Sequence, residues 1–436
     1  MSTTLRPFQI VLLAVFAVFA VVAIFLLTKY QADRTEEANL YGQRVEIWGT
    51  QPRSAFNGVF DTISRSDKAF NAVTYTQISP SSFENDLVNA IAEGRSPDLI
   101  VLPSELLITL RSKLYPISYN TYSRRDFQDR FIDGAEIFAL SNGIYALPFA
   151  IDPLMMYWNR DMFLTNGLPS APTTWESIVS SVVPSLTIRD FNRNVQQSGV
   201  AFGEFRNVTH AKEILMLLAL QSGSKMVLEN DRGYQVQIDV PVTSGVRAPL
   251  QSTLQFFTDF SNVNSPLYSW NRAMPIDKNA FTSGDLGLYF GMGSEVYDIE
   301  NRNPNLNFDI APVPQGSGAT IYRTYGDFYG FAIPRASKNV SGAYAVANIL
   351  TTAQNGQALA LALGMSSARR DVIAAGESGL YRQVIVQAAL IARGWLDPNP
   401  VRSDQIFMQM VEDIVSNRER VDTAVRDAIS RLILAY

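Results

Sequence analysis

Apolar and polar residues alternate along Arg44 to Thr50, reading RVEIWGT, and the run stops at a glycine, which predicts a strand entering a loop. Phe56, Phe60 and Ile63 then recur at helical spacing, so a helix is expected over Phe56 to Phe70. Ala72 to Ile78 alternates again and predicts a second strand. Ser81-Ser82-Phe83-Glu84 has the composition of a helix start, and the helix runs to Glu93 and stops at Gly94. After a turn at Arg95 to Asp98, Leu99-Ile100-Val101-Leu102 reads as a buried strand. Strand, helix, strand, helix, strand in this order implies a parallel sheet whose loops at the carboxyl ends gather along one edge.

Further along, Ile144 to Pro148 predicts a short apolar strand ended by proline, and Leu154 to Trp158 a second one before a helix start at Asn159-Arg160-Asp161. Strand, sharp bend and strand is the reading. Thr173-Thr174-Trp175-Glu176 has the pattern of an N-capped helix with its acid in the first turn. His210 to Leu220 is dense in helix formers and predicts a largely buried helix, with His210 in a structural place near its start. Two amphipathic helices, Ser403 to Asn417 and Val421 to Leu434, close the chain.

Phe8 to Leu27 is an uncharged run whose one polar side chain is Gln9. At about 1.5 Å per residue it spans roughly 30 Å, the hydrocarbon thickness of a bilayer. No A-x-A-like cleavage site follows near Thr28 to Ala32, so residues 1–28 are expected to be an uncleaved transmembrane signal anchor. Lys29 to Gln43 is polar and highly charged, and reads as a tether that reaches about 50 Å when extended.

Composition narrows the chemistry. The chain has no cysteine, which excludes disulfides, thiolate metal sites and cysteine nucleophiles, and it has one histidine. No nucleotide-loop, metalloprotease or serine-hydrolase motif accompanies that histidine, so no catalytic residue, metal or cofactor is assigned. Carboxylates are plentiful, and a glycosidase-like pair stays open on composition alone. A net charge of −5 with no basic stripe gives no support to nucleic-acid binding. About 390 residues follow the tether, enough for two lobes.

Gly143 to Ile178, GIYALPFAIDPLMMYWNRDMFLTNGLPSAPTTWESI, resembles the crossover segment of the extracellular solute-binding proteins that serve ABC importers, the sugar-type group similar to maltose-binding protein. Asn279 to Ser294 resembles that family's helix with a phenylalanine, small-Gly-acid turn, apolar strand and glycine-rich loop. Phe308 to Pro314, Tyr325 to Pro334 and Gly364 to Arg369 resemble its later strand, return crossing and basic loop. The resemblance implies an α/β, two-lobe periplasmic-binding-protein-like fold (type II) with hinge crossovers. Residues 44–150 and 327–371 form the first lobe, and 151–326 and 372–436 the second. The missing lipid-modified cysteine departs from the common bacterial form, and the N-terminal helix takes over its anchoring role.

The same resemblance implies the ligand contacts. Thr50, Gln51, Ser79 and Ser104 would offer hydroxyl and amide hydrogen bonds, and Glu105 a charge-assisted one. Asp152 would lie on the cleft floor or serve as a turn residue before Pro153. Trp270 would stack on a pyranose face or sit in the core. Gly291 and Met292 in the glycine-rich strand, Asp327 and Tyr329 on the return crossing, and Arg369 complete the set, with Arg370 a rival to Arg369. The expectation is a monomeric, single-pass, membrane-anchored receptor on the extracytoplasmic side. It would close on a small polar solute, a sugar or oligosaccharide, and deliver it to an ABC permease. A tyrosine-based iron binder ranks low because no adjacent tyrosine pair occurs. A glycan-processing surface enzyme, with Glu105 and Asp152 facing each other across the cleft, and a sensor ectodomain are the competing readings.

Overall fold

The computed structural model describes residues 17–24, 44–230, 233–241 and 248–436. Residues 17–24 are helical, with Val18, Phe19, Val21 and Val22 exposed. The rest of the expected anchor and the tether lie outside the described residues. Among the described residues no helix is long and apolar enough to cross a membrane.

From residue 44 the order begins β1 (Val45–Gly49), α1 (Arg53–Ser66), β2 (Val73–Gln77), α2 (Phe83–Ala92) and β3 (Leu99–Pro103). β1 pairs in parallel with both β2 and β3, as the alternation of strand and helix predicts. Phe56, Val59, Phe60 and Ile63 form the buried stripe of α1, and the Phe56 ring stacks on Tyr75 with centroids 3.9 Å apart. The helix does not reach Phe70. Asp67 accepts a hydrogen bond from the Ala69 amide at 3.0 Å and starts a separate 3-10 turn over Lys68–Ala72.

The predicted pair of strands with a bend between them is instead one strand of 13 residues, β4 (Leu147–Asn159). Its prolines do not break it because each faces a glycine of another long strand, with Pro148 opposite Gly330 and Pro153 opposite Gly326. A Cβ at Gly330 would lie 2.9 Å from Ala146 Cβ and 3.1 Å from the Leu147 carbonyl, so only glycine admits this approach. The remaining elements that matter for the site are β5 (Val195–Val200), α3 (Ala211–Gln221), β6 (Val227–Asn230), β7 (Gly233–Val236), α4 (Pro249–Asp259), α5 (Asp277–Ser283), β8 (Leu286–Met292), β9 (Phe308–Pro312), β10 (Thr324–Ala332), α6 (Arg382–Ile391), α7 (Pro400–Val415) and α8 (Val421–Ile433). Gly284, at φ 88°, ends α5 in the left-handed conformation, where the small-Gly-acid sequence places a stop.

β4 and β10 run through the middle of a single twisted sheet of order β2-β1-β3-β10-β4-β8-β5, with β9 also on β4. The first part of β4 pairs with β10, and its second part with β8 and β9. Two hydrophobic cores result, giving the two-lobe α/β architecture of the periplasmic-binding-protein type. One gathers around β1 to β3, α1, Phe149, Ile151, Phe328 and Phe331. The other gathers around Leu154, Tyr157, α3, α4, β8, α7 and α8. Along β4, core membership changes between Ile151 and Leu154, and along β10 between Tyr325 and Phe328. α6 serves both, with Ile385 and Ala388 in the second core and Val386 and Ala389 in the first.

Gly330→Ala is expected to destabilise the protein by about 1 to 3 kcal/mol, because the added methyl meets backbone and Ala146 in a packed crossing. Gly58→Ala, in an exposed mid-helix position where a Cβ meets nothing within 4 Å, should stabilise it by about 0.5 to 1 kcal/mol. Urea denaturation of the two variants against the parent tests the opposite signs.

Candidate functional site

At the junction of the two cores, the turn that follows β3 is bonded to β10, and its Glu105 feels the charges of Lys212 and Glu213 at the start of α3 and of Asp397 and Asp404 around the start of α7. After β1, Gln51 is buried: its Nε2 donates to Thr50 Oγ1 at 3.0 Å, its carbonyl accepts from the Tyr75 hydroxyl at 2.8 Å, and its Oε1 has no partner among the described residues. After β3, Ser104 is enclosed and its Oγ accepts from the Phe328 amide at 3.1 Å, fastening this turn to β10. Glu105 comes next. It is half-buried and none of the hydrogen bonds among the described residues involves its carboxylate. Burial pushes it up to about 7, with Lys212 opposing and Glu213, Asp397 and Asp404 adding to the rise.

On β10, Asp327 is half-buried and accepts from the Tyr325 hydroxyl at 3.1 Å. Burial and the nearby charges of Glu105, Glu213 and Asp152 hold it well above the usual carboxylate range. Tyr329 lies two residues on, half-buried, and burial together with Asp327, Asp152 and Glu105 raises its hydroxyl well above the ordinary value. On β4, Asp152 is 3% exposed and accepts from the Ser294 amide at 2.9 Å and the Ser294 hydroxyl at 2.5 Å. Burial raises it to about 6 against those two hydrogen bonds. Its carboxylate thus takes up the free amide that begins the Gly293–Glu295 turn after β8.

The second lobe contributes a charged network. Lys212 Nζ, buried in the first turn of α3, lies 3.2 Å from Asp397 Oδ2 and 2.7 Å from Asp404 Oδ1. His210 Nε2 is 2.5 Å from Glu295 Oε1, and the same carboxylate accepts from Tyr289 at 2.6 Å and pairs with Lys278 at 3.1 Å. Burial favours the neutral imidazole, but Glu213 and Glu295 outweigh it and hold His210 well above its ordinary value. Burial likewise opposes the charge of Glu295, yet His210 and Lys278 bring it down to about 2. Carboxylates around this space outnumber the cations His210, Lys212 and Lys278. Protein groups therefore leave acceptor capacity over, most plainly at Glu105 and Asp327.

Of the residues singled out in the sequence, Glu105, Asp152, Asp327 and Tyr329 lie within one electrostatic neighbourhood. Thr50 and Gln51 follow the strand next to β3. Others lie apart. Ser79 is exposed beyond the edge strand β2, bonded to Ser81 Oγ at 3.0 Å. Trp270 is fully enclosed in the second core, which leaves no ring face for a sugar; of its two expected places it takes the core. Arg369 is spent on Asp371 and on the Thr351 carbonyl, at 3.1 Å. Arg370 is bonded to Asp133 and the Gln128 carbonyl. Gly291 makes room for the Tyr289 ring, which a Cβ would meet at 2.4 Å, and the Met292 carbonyl accepts from Tyr157 at 2.5 Å. Lys212, Glu213, Asp397 and Glu295 were not singled out. The available signal was a Lys-Glu pair opening an otherwise apolar helix, where charge needs partners.

The sequence profile of the family described as bacterial extracellular solute-binding protein matches residues 67–381. A protein of Brucella abortus (strain 2308), named only as a binding protein, is 22% identical over 61% of this chain, and the match spans 60% of that relative's length. Among solved structures, the cyclic alpha-maltosyl-1,6-maltose binding protein from Arthrobacter globiformis has a TM-score of 0.71 at 16% identity, covering 90% of this chain and 98% of its own. The sugar-binding protein MalE from Xanthomonas citri gives a TM-score of 0.70 at 16% identity, covering 90% and 96%. A solute-binding protein from Thermotoga lettingae bound with alpha-D-tagatose gives 0.64 at 18% identity, covering 90% and 100%. At these identities the likeness shows the fold.

Glu105 gives the site a pH signature. With its folded value raised from 4.5 to about 7, it costs nothing while protonated in both states, and the cost develops as the pH climbs from about 4.5 through 7. The Glu105 contribution is expected to lower the melting temperature across that window and to level off above it. Glu105→Gln should flatten this part of the profile and raise the melting temperature at pH 8, as calorimetric scans at several pH values would reveal; an unchanged slope would remove Glu105 as its source.

Proposed function

Since the chain belongs to the bacterial extracellular solute-binding proteins, which bind substrates and are not enzymes, we propose that it captures a small polar solute between its lobes, a sugar or oligosaccharide, and delivers it to an ABC-transporter permease. One observation carries the reading: the Glu105 carboxylate, in the space between the lobes, lies close to Asp327 and Tyr329 yet enters no hydrogen bond among the described residues. Such acceptors suit the hydroxyl hydrogens of a carbohydrate. Binding proteins for maltodextrins and other sugars among the structural neighbours point the same way.

In this proposal the lobes are residues 44–150 with 327–371, and 151–326 with 372–436, hinged where β4 and β10 cross. Thr50, Gln51, Glu105, Asp327 and Tyr329 contact the solute from the first lobe and the crossing, and Glu213 faces them from the second. Ser104 and Asp152 hold the cleft's shape through Phe328 and Ser294. Phe8 to Leu27 anchors the protein as a single-pass, extracytoplasmic monomer. A second reading of the ligand is favoured by the surplus of carboxylates over His210, Lys212 and Lys278: a cationic solute such as an amino sugar or polyamine.

The purified chain should be screened by thermal shift against neutral mono- and oligosaccharides, amino sugars and polyamines, with calorimetry on the responders. A neutral saccharide is expected to saturate and, at a hundredfold excess over its dissociation constant, to stabilise by about 2.7 kcal/mol. Its affinity should drop at least tenfold in Glu105→Ala and in Tyr329→Phe. Saturation only by cations would replace the sugar with the second reading, and no response in any class would sink both.

A further inference from the structure

Away from the crossing strands, a second set of contacts joins the lobes. β6 and β7 form a small antiparallel ribbon attached to the second lobe, and neither strand contributes a buried residue. Its apolar Val227 and Val236 rest half-buried against the second core. Its polar side chains instead reach the first lobe. Glu229 on β6 and Tyr234 on β7 are directly paired in the ladder, so both project from the same face.

That face meets Arg111, in the turn that follows Leu110 of the first lobe. Arg111 Nη2 lies 2.9 Å from Glu229 Oε1, and Nη1 donates to the Tyr234 hydroxyl at 2.5 Å. The guanidinium lies 5.4 Å from the Tyr234 ring centroid and 5.7 Å from that of Tyr145, one ring from each lobe. Glu229 also accepts from the Ser141 amide at 2.8 Å and the Ser141 hydroxyl at 3.0 Å. Tyr234 is backed by Tyr436, with centroids 5.5 Å apart, and Tyr436 is bonded in turn to Trp395 at 3.0 Å. Thr109, on the same first-lobe segment, donates to the Pro398 carbonyl at 3.2 Å. The Arg111 side chain is 27% exposed and that of Glu229 16%.

We propose that this ribbon is a clasp that holds the lobes together before any solute arrives, with Arg111 as the post and Glu229 and Tyr234 as the hook. It sets the fraction of closed molecules and thereby the release rate of a bound solute; this second effect rests on the receptor reading, and the first does not. The clasp is polar and small, with Arg111 and Glu229 partly exposed, so it is reversible: water replaces its partners when the lobes part, and high salt weakens the Arg111–Glu229 pair in part.

The absence of cysteine allows a clean test in the full chain. Exposed Asp61 on α1 and Gln255 on α4 are replaced, Asp61→Cys and Gln255→Cys, and spin-labelled, so that the distance between them reports the lobe angle without solute. The otherwise unsubstituted protein should give one dominant short distance. Glu229→Gln and Arg111→Ala should each add a longer distance with a several-fold larger share, and Tyr234→Phe a smaller one. About 0.5 M salt should open the unsubstituted protein yet change Glu229→Gln little. Identical distance distributions in all four proteins, with salt and without, would overturn the clasp. Circular dichroism melts identify any variant that fails to fold, in which case the salt response of the unsubstituted protein decides. If a saccharide is found to bind, its release should quicken several-fold in Glu229→Gln. Lobe opening in a protein that binds no solute supports the clasp while removing the receptor reading, and intact binding with unchanged distances removes the clasp alone.

Discussion

The backbone ladder between β4 and β10 is the constraint on which the rest of the molecule depends. Each strand gives one end to each core, so neither lobe has a complete sheet of its own. The ladder admits close approach because glycine faces proline at both ends of the crossing, at Gly330 with Pro148 and Gly326 with Pro153. Asp152 and Asp327 are directly paired in that ladder, between the positions where the cores change hands. The fold therefore delivers two carboxylates to the junction of the lobes by strand register alone, before any loop is considered.

Carboxylates placed there are costly to ionise, and the molecule meets the cost unevenly. Asp152 is quieted by two hydrogen bonds from Ser294. Glu295 and Glu213 are held ionised by His210, the one imidazole of the chain. Glu105 and Asp327 receive less help and, like Asp152, are raised. The cluster thus contains acids whose charge other groups of the chain meet and acids whose charge is met less fully.

Local order was legible in the sequence because its causes are local. The alternation in RVEIWGT, the apolar spacing of Phe56, Phe60 and Ile63, and the glycine stops at Gly94 and Gly284 act within a few residues. The single strand through Pro148 and Pro153 was not legible, since what tolerates those prolines is a pair of glycines from a distant stretch of chain. Trp270 shows the same limit: a large aromatic beside a loop reads equally as a platform or as core until the surrounding helices are in place. Lys212 with Asp397, and Arg111 with Glu229, join residues more than a hundred positions apart, and no periodicity announces them.

α6 sends Ile385 and Ala388 into one core and Val386 and Ala389 into the other, so two neighbouring pairs of side chains answer to two separate packings at once. A change that suits one lobe there is judged also by the other, whereas the outer helices α1 and α8 answer to one lobe each. Tolerance to substitution is thus uneven along the chain: the flanking helices are constrained by one packing each, and the helix between them by two at the same time.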